Sequence, residues 1–265
     1  MDRRNFLKTG GIALLGSLAT GSAMALTTPG ALGGEGADKK AAVALAMNHF
    51  GVSEADLKKV LAAALEKGGD YADLFFEHTI SNSIRLMDGA VNNSYSNIDY
   101  GVGVRVLIGD QSGYAYVENI TVEDMLKAAR TAARIASANK GNKPLNLTEK
   151  ELKKNYYTVA SPWEEVSLKD KMPYLQKLND RIFALDKRVH KVQASQSDTT
   201  SHIFFCNSEG VMFYDYRPMV TLGAVCIMEE DGKTENGYAA RAYRRGFDFL
   251  SDEVVDVIAR EVVSL

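Results

Sequence analysis

The chain is predicted to be an α+β protein, built as two successive helix–antiparallel-sheet–helix units. Three observations predict this. Helix starts with a Ser or Thr cap and an acid three residues on recur at Ser53/Asp56, Thr121/Asp124 and Ser167/Asp170, and Ser251-Asp252 opens a further helix. Between these starts run alternating apolar segments joined by the turn dipeptides Asp88-Gly89 and Asp231-Gly232. The order helix, strands, helix occurs twice, and a polar stretch over 139–146, closing at Pro144-Leu145, separates the two.

At 265 residues the chain holds one large domain or two small ones, each with its own core. A net charge of −3 gives no basic footprint, so no nucleic-acid partner is expected. Residues 1–25 read as an export signal. Arg3 and Arg4 are followed by Phe6, Leu7 and Lys8, then by an apolar run over 12–18 and the end Ala23-Met24-Ala25. A basic start, a short apolar core and a small-x-small end define such a signal. The Arg pair looks like the twin-arginine form, and cleavage is expected after Ala25. The apolar run is too short to span a bilayer and is diluted by Gly10, Gly11, Gly16 and Gly21. No cysteine follows it to take a lipid, so no stable membrane anchor is expected. The expected location is exported, periplasmic. Residues 26–50 are read as a flexible leader, Gly-, Thr- and Ala-rich up to Lys40.

Residues 51–140 form the expected N-terminal α+β domain. The helix from Ser53 puts Leu57, Val60, Leu61, Ala64 and Leu65 on one face and stops at Gly68-Gly69. Strands are expected over 71–78, 83–87, 91–98, 101–108 and 113–117, the last two around the turn Gly109-Asp110-Gln111-Ser112. Alternation in 101–108 places Val102, Val104 and Val106 on one face and Gly103, Arg105 and Leu107 on the other. The helix from Thr121 carries the apolar face Val122, Met125, Leu126, Ala129, Ala132, Ala133 and Ala136. Residues 141–265 repeat the plan as a middle α+β domain. A helix from Ser167 has the face Leu168, Met172, Leu175, Ile182 and Leu185. Strands follow over 189–195, 202–207, 211–216, 220–228 and 237–243, then a last helix with Val254, Ile258 and Val262 on one side. That helix runs into Ser264-Leu265 with no capping signal, and the expectation is a chain cut in mid-domain.

Few patterns carry chemistry. His49, His78, His190 and His202 have no i, i+4 or HExxH spacing. Each is read as a structural or surface histidine, although two can still meet in space. The acidic runs Glu164-Glu165 and Glu229-Glu230-Asp231 fall in a pre-helix loop and beside a turn, and read as solvated. Arg241, Arg244 and Arg245 interleave with Tyr238, Tyr243, Phe247 and Phe249. They fit an exposed hairpin or a cleft wall for carboxylates. Cys206 and Cys226 lack CxxC spacing and read as buried thiols, with a disulfide open in an oxidising compartment. No nucleophile elbow, phosphate loop or dinucleotide fingerprint occurs. No catalytic residue, metal ligand or cofactor is assigned within the chain.

Five segments are more distinctive: GGDYADLFFE (68–77), YSNIDYGVGVRVLIGDQSGYAY (95–116), DKRVHKVQAS (186–195), DYRPMV (215–220) and VCIMEEDGKTENG (225–237). In this order they resemble the N-terminal half of the TldD branch of the TldD/PmbA metallopeptidases. The resemblance implies N-terminal and middle α+β regions followed by a C-terminal region with an HExxxH zinc motif. It further implies cleavage of unstructured peptides in a chamber formed with a homologous subunit, the PmbA-like partner lacking the metal. This chain has no HExxxH, so no catalytic residue carries over onto it. Zinc is expected in the complete protein. The chain itself is expected to supply chamber wall and subunit contacts and to be inactive alone. The rival reading is a non-catalytic peptide-binding or partner-subunit module, capturing peptides by strand addition.

Overall fold

The computed structural model describes residues 39–136, 148–149 and 159–264. Among them, helices α1 (Lys39–Phe50) and α2 (Glu54–Ala64) precede strands β1 (Tyr71–Met87), β2 (Ala90–Ile108) and β3 (Gln111–Val117). Helix α3 (Val122–Ile135), the short β4 (Thr148–Glu149) and a 3-10 turn at Trp163–Glu165 follow. The second half holds α4 (Leu168–Leu185), β5 (Val189–Asn207), β6 (Val211–Glu230), β7 (Lys233–Tyr243), a 3-10 turn at Phe247–Phe249 and α5 (Asp252–Val262). The α+β class holds.

The expected helix starts are present. Ser53 and Ser167 close capping boxes with Asp56 and Asp170, and the Thr121 and Ser251 side chains accept from the backbone N–H groups of Asp124 and Val254. Both Asp-Gly turns are left-handed at each central residue, with φ of 50° and 79° at Asp88-Gly89 and 50° and 73° at Asp231-Gly232. That twist matches the strands they join.

The two expected units share one sheet. Its order is β3-β2-β1-β5-β6-β4, with β7 also on β6. The seam is the β1–β5 pairing, which runs from Asp73↔Asn207 to Met87↔Gln193. Segments expected as separate strands merge into β1, β2, β5 and β6, because the polar residues between them still find cross-strand partners. Asn82, for example, donates to Asp198 at 3.0 Å. Along β1 one parity faces the helices throughout. Ala72, Leu74 and Phe76 join a core with α1, α2 and α3, while Ile84 and Leu86 join a second core with α4 and α5. Both helix groups therefore cover the same face of the sheet. Val102, Val104 and Val106 are buried in the first core, and Arg105 lies on the opposite face, paired to Asp73 at 2.6 Å.

Two expectations change. The leader over 26–50 gives way to α1 from Lys39, because Val43, Ala46 and Phe50 form an apolar stripe that the first core buries. Residues 1–38, including Arg3, Arg4, Phe6, Leu7, Ala23 and Ala25, lie outside the described residues, as does most of the expected domain boundary near 141. On α4, Leu168 and Leu185 are exposed. Leu175, Leu178 and Ile182 make the buried stripe together with Lys171 and Asn179. No helix among the described residues is long and apolar enough to cross a membrane.

Candidate functional site

The sheet register builds a row of polar aromatic side chains between the two cores. Tyr100 of β2 pairs with His78 of β1, His78 with His202 of β5, and His202 with Tyr216 of β6. Their shared parity turns all four toward the helices, one step beyond Phe76 and Phe204. Two further groups close over the row. Helix α1 brings His49, anchored by Phe50 packing on Phe76, Phe204 and Tyr100. The 3-10 turn at Trp163–Glu165 brings Glu164, anchored by Trp163, whose indole N–H donates to the Arg245 carbonyl at 2.8 Å.

Hydrogen bonds tie the row together. His202 Nε2 donates to Glu164 Oε1 at 3.0 Å, and its Nδ1 is hydrogen-bonded to the Tyr214 hydroxyl at 2.7 Å. Tyr216 and Thr200 donate to Glu164 Oε2 at 3.1 and 3.3 Å. Burial pushes the Glu164 carboxyl up, but the hydrogen bond from His202 and its companions carry it below the usual range. His49 Nε2 lies 2.8 Å from His78 Nδ1, one donating and the other accepting. Burial, then repulsion from His202 and His78, brings the His49 imidazole down to about 4, and burial lowers His78 as well. Burial pushes the Tyr214 and Tyr216 phenols upward. The site at neutral pH therefore sets an ionised carboxylate near the neutral imidazoles of His49 and His78 and the neutral phenols of Tyr214 and Tyr216. It can accept or donate single protons at His49 and His78, the more accessible pair.

A zinc ion, the metal that the sequence resemblance implies, does not fit these groups as they stand. The His49 ring stacks on His78 and on His202 at interplanar angles of 30° and 28°, and His78 and His202 lie tilted at 31°, rather than aim nitrogens at one point. Both nitrogens of His202 are engaged, and His49 and His78 face each other. Among the described residues no group of three or more His, Cys, Asp or Glu is arranged to hold a metal ion.

A second polar knot lies further along the same face. Lys171 of α4 reaches Asp198 of β5 at 2.5 Å, their side chains 4% and 1% exposed. Asn82 and Gln196 also donate to Asp198, and the Lys171 ammonium sits 5.3 Å from the Trp163 ring centroid. Other sequence candidates stay apart. His190 is exposed in a β-bulge. Glu229, Glu230 and Asp231 are exposed at their turn, with Glu230 taking Arg188 at 3.3 Å. Arg241 and Arg245 pair with Glu261 and Asp248. Cys206 and Cys226 are free and buried in different cores, which closes the disulfide option between them. Glu164, read as solvated, is the misjudged acid: its side chain is only 22% exposed and holds His202.

An α+β scaffold of one sheet with helices on a single face, enclosing a histidine–carboxylate–tyrosine row, is the class these features define. Comparison with known proteins narrows it. Residues 72–136 match the family description PmbA/TldA metallopeptidase domain 1, and residues 161–265 match the PmbA/TldA metallopeptidase central domain. The chain belongs to the PmbA/TldD metallopeptidase family. A protein named metalloprotease TldD homolog from Haemophilus influenzae is 32% identical over 198 residues, 73% of this chain and 40% of that protein. One from Buchnera aphidicola (subsp. Acyrthosiphon pisum) is 26% identical over 207 residues, 78% of this chain and 43% of that protein. The chain thus spans about two fifths of the length of these curated relatives. The fold recurs in a Thermotoga maritima crystal structure described as a modulator of DNA gyrase, with a TM-score of 0.62, 20% identity and coverage of 80% of this chain and 48% of that one. It also recurs in TldE from Thermococcus kodakarensis, with a TM-score of 0.55, 16% identity and coverage of 78% and 47%.

Proposed function

We propose that this chain is the N-terminal and central part of an exported, TldD-like zinc metallopeptidase that cleaves unstructured peptides. In this reading it supplies chamber wall and contacts to a homologous subunit. The ordered pair of family matches over 72–136 and 161–265 carries the reading. The share of the TldD homologs that it spans supports a role as part of a larger peptidase. Its sequence has no HExxxH, and its clustered imidazoles do not fit the metal as they stand. The metal ligands are accordingly assigned to other residues of the complete protein, and no step of hydrolysis is derived from this chain.

The test compares the chain alone with the chain joined to the HExxxH-bearing half of a TldD homolog. A fluorogenic unstructured peptide and metal analysis after dialysis provide the readouts. Chelator-sensitive cleavage and bound zinc are expected only in the joined form. Chelator-sensitive cleavage by the short chain, or zinc near one equivalent on it, refutes the assignment.

A further inference from the structure

Helix α1 is attached differently from its neighbours. Helices α2 and α3 pack on each other and on the first three strands, whereas α1 lies across β5 and β6. Along residues 41–50 the buried side chains are Val43, Ala46 and Phe50, a short stripe with one large member. The helix ends where the Val52 N–H donates to the Met47 carbonyl at 2.9 Å. Gly51 makes the joint to α2, left-handed at φ 66° with open space where a Cβ would stand. The last turn of α1 carries two consecutive contacts. Phe50 packs on Phe76 and Phe204, and His49 Nε2 lies 2.8 Å from His78 Nδ1.

Each element around His49 presents a titratable group. His78 of β1 and His202 of β5 lie against its ring, at 5.0 and 4.8 Å between centroids. Tyr100 of β2 stands edge-on to His78, and Tyr214 and Tyr216 of β6 flank His202. Glu164 of the 3-10 turn attracts a charged His49, but this is the smallest influence on it, and its oxygens already take His202, Tyr216 and Thr200. The gap between His49 and His78 has room for one hydrogen. With both rings neutral, one donates and the other accepts. A first added proton keeps that bond, now with a charged donor. A second leaves no lone pair in the gap, so N–H meets N–H and two imidazolium rings face each other. Burial and the neighbouring imidazoles bring His49 down to about 4, and His78 is lowered too. His49 is itself exposed, so protons have access to it.

We propose that the His49–His78 contact is a proton-operated latch on α1: when both rings are protonated, α1 leaves β5 and β6 while α2, α3 and the sheet stay folded. His49 and Phe50 are consecutive, so an imidazole pushed off the row withdraws the ring that seals Phe76 and Phe204. Val43 and Ala46, two small side chains, are then what remains of the buried stripe. The released helix binds protons that the docked helix resists. Acid therefore favours release as pH falls toward about 4, and neutral pH restores docking. Release uncovers an aromatic floor of Phe76 and Phe204 with His78 and Tyr214 beside it. The opening is local, because the joint at Gly51 separates α1 from the α2–α3 pair.

Hydrogen–deuterium exchange of the full chain, read by mass spectrometry as protection relative to unstructured peptide at each pH, tests the latch. Protection over residues 41–50 should fall at least about tenfold between about pH 6 and about pH 4, while β1 and β5 hold theirs. It should return when the sample is brought back to neutral pH. His49→Gln keeps a hydrogen-bonding side chain that takes no proton, and it should flatten the α1 profile. His78→Gln should do the same, each variant being checked for folding by circular dichroism at neutral pH. The wild-type profile needs no substitution, so the test stands if a variant does not fold. Protection over 41–50 that stays level in the wild type, or that falls in step with β1 and β5, overturns the proposal. An equal fall in folded His49→Gln overturns it as well.

Discussion

Replacing Lys171 by methionine tests how the middle of the sheet is held. Lys171 and Asp198 are almost fully buried at 4% and 1% side-chain exposure, with 2.5 Å between Nζ and Oδ2. Methionine keeps the length of the side chain and removes its charge. Asp198 is then a buried carboxylate that keeps only the amide donors of Asn82 at 3.0 Å and Gln196 at 2.9 Å. Removing one partner of a buried ion pair costs about 3–5 kcal/mol. The two remaining donors place this case at the lower end, about 3 kcal/mol. For a chain of this size that is a fall in Tm of roughly 6–12 °C. Asp198→Asn alone strands the ammonium over the Trp163 ring and should cost a similar amount. The double variant removes both charges and should recover to within about 1 kcal/mol of wild type. Urea and thermal unfolding followed by circular dichroism measure all four proteins. Single variants within about 0.5 kcal/mol of wild type, or a double variant whose loss equals the sum of the singles, would refute the buried-pair reasoning.

Acid should loosen the histidine row. His49 is brought from 6.5 to about 4 in the folded chain and His78 is lowered too, so below pH 6.5 the unfolded chain binds more protons. The stabilisation is full above about pH 6.5 and is lost as pH falls toward about 4. The whole His49 shift corresponds to about 3 kcal/mol, but solvent screening at this exposed residue reduces it to about 1 kcal/mol. His49→Gln should flatten the urea midpoint against pH in that window, and parallel curves for the two proteins would count against the row as drawn. For export, we propose passage by the twin-arginine route on the strength of Arg3, Arg4, Phe6 and Leu7 with the Ala23 and Ala25 end. Changing Arg3 and Arg4 together to lysine should trap the precursor inside the cell, as fractionation would report, and undiminished export would remove the proposal.

The parts of the fold that rest on neighbours in sequence were legible. Ser53, Thr121, Ser167 and Ser251 announce helices by groups within reach of the cap, and Asp88-Gly89 and Asp231-Gly232 announce hairpins by their tolerance of positive φ. The burial of Val102, Val104 and Val106 follows from period two alone. The histidine row was not legible, because it depends on the register of β1 against β5, a pairing that no local pattern specifies. A partial signal existed. His78 continues the in-facing series Leu74, Phe76, and His202 opens the in-facing series Phe204, Cys206, so both imidazoles share the parity of a core. Glu164 reaches the row from a 3-10 turn with no periodicity, and α1 was hidden by the Gly-rich composition just before it.

The β1–β5 seam also bears on how the chain comes to be folded. Helices α1 to α3 and strands β1 to β3 are made first, yet β1 has no partner on its second side until synthesis has passed Val189. Until then a long strand with in-facing Leu74, Phe76, Ile84 and Leu86 stands open to any other extended chain. Contacts this distant in sequence close slowly, since the entropy of the intervening loop is lost before the pairing compensates it. The first family segment should therefore be aggregation-prone when made alone. A folded first half should be obtainable only when the second is present in the same chain or supplied beside it.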